Sequence, residues 1–211
     1  VVFGAYGFHD PVDGVNRCLV SLSDGGKDAV IKREFDLEGR EFVENGFVTP
    51  EAKQGSAWAG PDTLLVGTDW GEGSLTESGY PRIVKRWERG TDLSEAVELL
   101  SGDVADVGVW PYTIEMDDGR ILTCVEESDT FFTSTHWWIP EGETTPIQIP
   151  VPPKCSFSGV FGSWMFIRLK EDWEVESGSF ASGDLVAFQL DEFLETRALP
   201  KIEAVFRPTK T

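Results

Sequence analysis

Histidine, cysteine and methionine are scarce in this chain, and each scarcity closes off a class of chemistry. Two histidines, His9 and His136, and three cysteines, Cys18, Cys124 and Cys155, are scattered over 211 residues. No two of them have the spacing of a zinc-ligand pair, so neither a metal nor another cofactor is expected. Three cysteines so far apart do not make a disulfide framework and point to a reducing, cytoplasmic setting. No apolar run approaches the roughly 20 residues of a membrane-crossing helix, and no signal-peptide pattern is present. Basic residues are outnumbered 18 to 37, for a net charge of −19, which argues against nucleic acid or an anionic membrane as partner. The acidic groups are spread along the chain rather than gathered in a tail, the pattern of a solubilising surface. The chain opens on Val1-Val2, inside what reads as a strand, as expected for a piece of a longer protein.

Long helical patterns are also missing. Apart from a short stretch at Asp191–Thr196, and Asp92–Leu100 which reads either way, the chain is a succession of short alternating or apolar runs. These include Arg17–Ser23, Ala29–Asp36, Thr63–Thr68, Arg82–Trp87, Arg120–Val125, Phe131–Trp138, Trp164–Leu169, Leu185–Leu190 and Ile202–Phe206. Turn signals such as Asp24-Gly25-Gly26, Asp117-Asp118-Gly119 and Glu141-Gly142 separate them. Eight Trp and 14 Phe suit pleated, half-buried surfaces, so the fold class is all-β.

The spacing of the aromatics carries more. Phe35, Trp87, Trp138 and Phe188 recur at intervals of 52, 51 and 50 residues, and Trp58, Trp110 and Phe161 at 52 and 51. Each unit then holds four strands in order, the mark of a propeller blade. Such a unit cannot bury both faces alone and must stack on its neighbours. The division expected is an incomplete blade at 1–51 and blades at 52–101, 102–151 and 152–211. That makes a partial β-propeller of antiparallel blades, about three and a half of them, where a closed ring commonly has four to eight.

Two stretches carry a resemblance. Asp62-Thr63-Leu64-Leu65-Val66-Gly67-Thr68-Asp69-Trp70, continuing through Gly71-Glu72-Gly73 and Ser78-Gly79-Tyr80-Pro81-Arg82 to Trp87, resembles the N-terminal propeller of bacterial prolyl oligopeptidase-family serine peptidases. So does Arg17–Ala29 with Arg33-Glu34-Phe35-Asp36-Leu37 after it. The resemblance implies a seven-bladed propeller, of which this chain holds about half, set over an α/β-hydrolase domain of the same parent chain. That domain would carry a Ser-Asp-His triad and cut short peptides after proline, and the propeller would restrict entry to it.

The residues of this chain point away from catalysis. An α/β-hydrolase nucleophile sits on a Gly-x-Ser-x-Gly elbow. No serine here has Gly at both second neighbours; Ser23 comes nearest, with Gly25 after it but Ser21 before it. His136 lies between Thr135 and Trp137 in a strand pattern, and His9 lies in the turn-like Phe8-His9-Asp10-Pro11. Asp117-Asp118 reads as turn chemistry ahead of Gly119 rather than as a cation site.

The candidates for substrate or domain contact are Tyr80 and Arg82, at the end of the long loop Gly71–Pro81, and Trp173, inside the insertion Glu171–Gly183. The competing reading of the loop is a rigid connection packed on its own blade. Incomplete propellers leave apolar faces open, so a homodimer of the chain is expected. A stand-alone propeller-type interaction module is the alternative to the peptidase piece; a sugar-binding propeller lacks a matched set of inward carboxylates.

Overall fold

The computed structural model describes residues 1–9 and 16–209. Asp10 and Pro11 of the turn expected at His9 lie outside the described residues, and His9 itself closes the first strand. Four four-stranded antiparallel sheets follow one another along the chain, each a simple up-and-down meander. The first contains β1 (Val2–His9), β2 (Asn16–Leu22), β3 (Ile31–Asp36) and β4 (Glu41–Phe42). The second contains β5 (Gly55–Gly60), β6 (Thr63–Gly67), β7 (Ile83–Glu88) and β8 (Val97–Ser101). The third contains β9 (Gly108–Glu115), β10 (Ile121–Ser128), β11 (Thr135–Ile139) and β12 (Ile147–Gln148). The fourth begins with β13 (Cys155–Phe161) and β14 (Trp164–Leu169). A two-stranded hairpin, β15 (Trp173–Val175) and β16 (Gly178–Phe180), interrupts it before β17 (Leu185–Gln189) and β18 (Glu203–Phe206) complete it. Among the described residues the sheets are separate and none closes into a barrel.

The segment expected as an incomplete blade therefore has all four strand positions. Its outermost strand is the pair Glu41–Phe42, within the partner strand Glu41–Val43 expected after Phe35. Asp92–Leu100, ambiguous in sequence, splits at Ala96. Asp92 accepts from the Ser94 amide and Glu95 reaches back to the Asp92 amide, a capping box that holds one 3-10 turn before β8. The short helix α1 (Leu190–Thr196) ends at Arg197, whose φ of 60° reverses the chain. No helix among the described residues is long and apolar enough to cross a membrane.

Burial follows the interfaces between successive sheets. Sheets 1 and 2 enclose Leu19, Phe47, Trp58, Leu64, Val66 and Trp87. Sheets 2 and 3 enclose Leu65, Val84, Leu99, Val109, Val125 and Ile139. Sheets 3 and 4 share a larger core that includes Leu122, Cys124, Met165, Ile167, Phe188 and, from α1, the fully buried Phe193.

The aromatic repeat names the right strands but not always the right face. Phe35, Trp87, Trp138 and Phe188 each lie on the third strand of a sheet. Trp87 faces the preceding sheet, against Phe47 at 4.8 Å, and Phe188 also packs towards the preceding sheet. Trp138 faces the following sheet and meets Phe193 at 5.9 Å. A one-residue change of spacing flips a strand side chain to the opposite face. In the second series Trp58 is buried, whereas Phe161 is 73% exposed, because it ends β13 at the turn into β14.

The expected strand at Phe131–Trp138 begins only at Thr135. The Thr130 hydroxyl accepts from the amides of Phe132 and Thr133 and bonds the Thr133 hydroxyl, a turn that competes with strand pairing. Phe131 and Phe132 stand out from this turn, 83% and 82% exposed.

Candidate functional site

Up-and-down meanders place every β2–β3-type loop and every sheet-to-sheet connection at the same end of the stack. At that end lie the loop 68–82, the loop 129–134, the insertion 170–184, and the connections 43–54, 102–107 and 149–154. The three residues singled out in sequence, Tyr80, Arg82 and Trp173, all belong to this end.

Tyr80 and Arg82 hold the long loop to its surroundings. The Arg82 guanidinium donates to the Gly73 carbonyl (2.6 and 3.1 Å), the Ser101 hydroxyl (3.1 Å) and the Gly102 carbonyl (3.0 Å). The Tyr80 ring packs edge-on against Trp110 at 5.5 Å, with the Lys53 ammonium 4.3 Å from its centre. Inside the loop Asp69 caps its own turn by accepting from the Gly71 amide and the Ser74 hydroxyl. The loop in turn bonds the 102–107 connection, Glu77 amide to Val104 carbonyl at 2.8 Å. Trp173, in the β15–β16 hairpin, leans on Phe180 and packs against the core of sheets 3 and 4. Among the described residues no ring contact or hydrogen bond joins Trp173 to Tyr80 or Arg82. Asp117 accepts from the Gly162 amide at 2.7 Å, and Asp118 is paired with Arg120, so both serve the turns around Gly119 (φ 84°).

A cavity of about 800 Å³ opens between sheets 3 and 4 at the same end. Its inner wall is built by Tyr112 of β9, Glu126 of β10, His136 of β11 and Phe157 of β13, with Cys155 beside them. Phe131 and Phe132 overhang it, and Lys154 and Lys170 stand at its rim. Register explains part of the gathering: His136 pairs across from Glu126, and Tyr112 pairs with Cys124, two residues along β10 on the same side of the sheet. His136 is nearly buried; its Nδ1 lies 3.1 Å from the Tyr112 hydroxyl, and its ring meets Phe157 edge-on at 4.5 Å. Burial pushes the imidazole below its ordinary value, against the opposing pull of Glu126, so it is neutral at pH 7. Burial raises the Tyr112 phenol far above its usual range and the Cys155 thiol to about 11, so neither ionises near neutrality. All three cysteines are free thiols, and burial pushes Cys124 up to about 12.

Glu126 is held differently. One carboxylate oxygen accepts from the Ser134 hydroxyl at 2.7 Å and the Ser128 hydroxyl at 3.2 Å. Among the described residues no cation pairs with it. The cavity thus presents an anchored carboxylate, a neutral imidazole and a wall of aromatic carbon, an arrangement for binding rather than for nucleophilic attack. Sequence reading had singled out His136 alone. Tyr112 and Glu126 carry no local motif, and only strand register brings them beside it.

The fold has counterparts among known proteins. No family model matches the chain. An uncharacterized peptidase of Sinorhizobium fredii is 35% identical over 92% of this chain, which spans 27% of that protein. An uncharacterized peptidase of Rickettsia prowazekii is 26% identical over 97% of this chain, which spans 30% of it. The structure of a post-proline cleaving enzyme from Rickettsia typhi superposes on 99% of the chain with a TM-score of 0.86 at 26% identity, the chain covering 32% of it. Oligopeptidase B from Leishmania major, at 11% identity and a TM-score of 0.57, shares the fold. The chain is thus about three-tenths the length of the proteins it is similar to, and its four-stranded sheets match their propeller.

Proposed function

We propose, from a chain whose sheets match the propeller domain of prolyl oligopeptidases, that it is the non-catalytic, access-restricting part of a serine peptidase. The observation that carries this reading is the pairing of near-complete coverage of this chain with coverage of under a third of peptidase-like relatives. The remaining length of such a protein would supply the α/β-hydrolase domain, and the loop end of the stack would meet short peptides on their way to it. Cleavage after proline is the activity proposed for the whole protein, since the superposing Rickettsia typhi structure is a post-proline cleaving enzyme. In this chain the one histidine with a described side chain is spent on a tyrosine hydroxyl, which supports a non-catalytic role.

The terminal sheets support a second element of the proposal, that the isolated chain associates with a copy of itself. On the outer face of sheet 4, Phe161 and Phe206 are 73% and 61% exposed, beside Trp164 and Phe166. The outer face of sheet 1 carries Ile31, Phe35 and Phe42. Contiguous apolar faces of this kind drive association.

A proline-containing fluorogenic peptide tests the first element, given side by side to the full-length protein and to this chain. Cleavage by the full-length protein alone is the expected result. Cleavage by the purified chain overturns the non-catalytic assignment, and no post-proline cleavage by the full-length protein overturns the family activity. Sedimentation of the chain tests the second, and a monomer at all concentrations overturns it.

A further inference from the structure

The cavity between sheets 3 and 4 has charges arranged from inside to outside. Its inner carboxylate, Glu126, is partly buried, is fixed by two serine hydroxyls and has no cationic partner among the described residues. At the rim, the ammonium groups of Lys154 and Lys170 are exposed and likewise make no ion pair among the described residues. The rings of Phe131, Phe132 and Phe157 line the same cavity. A carboxylate set among aromatic faces attracts a cation, both directly and through the ring quadrupoles. The neutral His136 adds no positive charge to oppose it. The aromatic rings offer surface to an apolar group, and the rim lysines offer charge to a carbonyl or carboxylate farther out.

We propose that this cavity binds the free amino-terminal residue of a short peptide. The peptide's ammonium sits on Glu126, its bulky apolar first side chain lies against Phe131, Phe132 and Phe157, and its backbone leaves past Lys154 and Lys170. This deepens the reading of the chain as the part of a peptidase that meets peptides, and it rests on that reading for its choice of ligand. Selectivity follows from the same parts: a blocked amino terminus loses the charge on Glu126, and a glycine at the first position leaves the aromatic wall uncovered.

Calorimetric titration of the chain with Phe-Gly-Gly, its N-acetyl form and Gly-Gly-Gly tests the site directly. Phe-Gly-Gly is expected to bind, with acetylation weakening it about tenfold or more, the loss of one charge-assisted hydrogen bond. Glu126→Gln keeps an oxygen for both serine hydroxyls and is expected to bring free and acetylated peptides to the same affinity. Phe131→Ala, at a position 83% exposed and so without cost to folding, is expected to weaken Phe-Gly-Gly towards Gly-Gly-Gly. Equal binding of free and acetylated peptide overturns the proposal, as does a preference that survives Glu126→Gln or no binding of Phe-Gly-Gly at millimolar concentration. None of these readouts needs hydrolysis, so failure of the site and failure of the peptidase assignment appear in different experiments.

Discussion

Lys32 is a charged residue in the wrong solvent, and replacing it should stabilise the protein. Its side chain is 3% exposed between sheets 1 and 2, where its ammonium donates to the Ser56 hydroxyl at 2.7 Å and lies 5.2 Å from the centre of the Tyr6 ring. Among the described residues no carboxylate pairs with it. Burial alone lowers its pKa from 10.5 to about 8. The unfolded chain therefore binds the proton more tightly than the folded one, and stability rises with pH between these two values. Below pH 8 the folded state carries the whole penalty, about 3 kcal/mol, and at pH 10 about 1 kcal/mol of it is left. Lys32→Met removes the penalty at every pH and loses the hydrogen bond to Ser56, worth about 1 kcal/mol. Net stabilisation of about 2 kcal/mol is expected at pH 7, falling to about zero at pH 10. Urea unfolding of both proteins at the two pH values reads the difference, in which all other titrating groups cancel. A variant that is less stable at pH 7, or an advantage that does not shrink at pH 10, refutes the assignment of Lys32 as an unpaired buried ammonium.

Two further substitutions probe the packing of the stack and its long loop. Phe193→Ala empties a fully buried position between Trp138 and Phe188, and is expected to cost about 3–5 kcal/mol in the same urea assay. Arg82→Ala removes four hydrogen bonds that tie the loop 68–82 to Gly73, Ser101 and Gly102. Limited proteolysis is expected to cut the variant within 71–81 several times faster than the parent, and unchanged cutting shows that Tyr80 and the loop's own turns suffice.

The four-strand repeat was legible because chain spacing alone reveals it, whatever each side chain faces. Side-chain roles were less legible. Trp138 kept the repeat's spacing but changed faces, since the strand period of two turns a one-residue difference into an opposite orientation. Phe131 and Phe132 read as strand by composition, and the threonine hydroxyls of their turn outweighed that preference. Lys32 and Glu34 fall in the expected strand Ala29–Asp36, yet nothing in their charged side chains marks them for burial on the face towards sheet 2. The cavity cluster was out of reach for a simpler reason: Tyr112, Glu126 and His136 come from three strands, and only pairing register brings them together.

Glu34 also bears on how near-identical sheets stack in the right order. Each sheet in such an array touches only its neighbours, so wrong neighbours and second copies compete with right ones. The three interfaces differ in kind: aromatic between sheets 1 and 2, aliphatic between 2 and 3, mixed between 3 and 4. Among the described residues, only in the first does a buried carboxylate cross between sheets. Glu34 accepts from both ends of the Arg89 guanidinium (2.8 and 2.9 Å), from the Phe47 amide (2.8 Å), and pairs with Arg17 at 3.3 Å. A buried pair of this kind adds little net stability over apolar packing, but a wrong neighbour would leave the carboxylate with Arg17 of its own sheet and without the two hydrogen bonds from Arg89. Glu34→Ala leaves Arg89 with Asp62 and the Pro61 carbonyl but takes the acceptor from the Phe47 amide, and is expected to cost about 1–3 kcal/mol. Replacing Glu34 and Arg89 together by Leu and Met is expected to recover the part due to the weakened guanidinium pairing, while the orphaned Phe47 amide, common to both variants, keeps its cost. The double variant should nonetheless refold from urea into more oligomer than the parent as protein concentration rises. Stability as low as that of Glu34→Ala would mean that the pair itself holds the interface, and refolding as clean as the parent's would mean that sheet order is set by apolar shape alone.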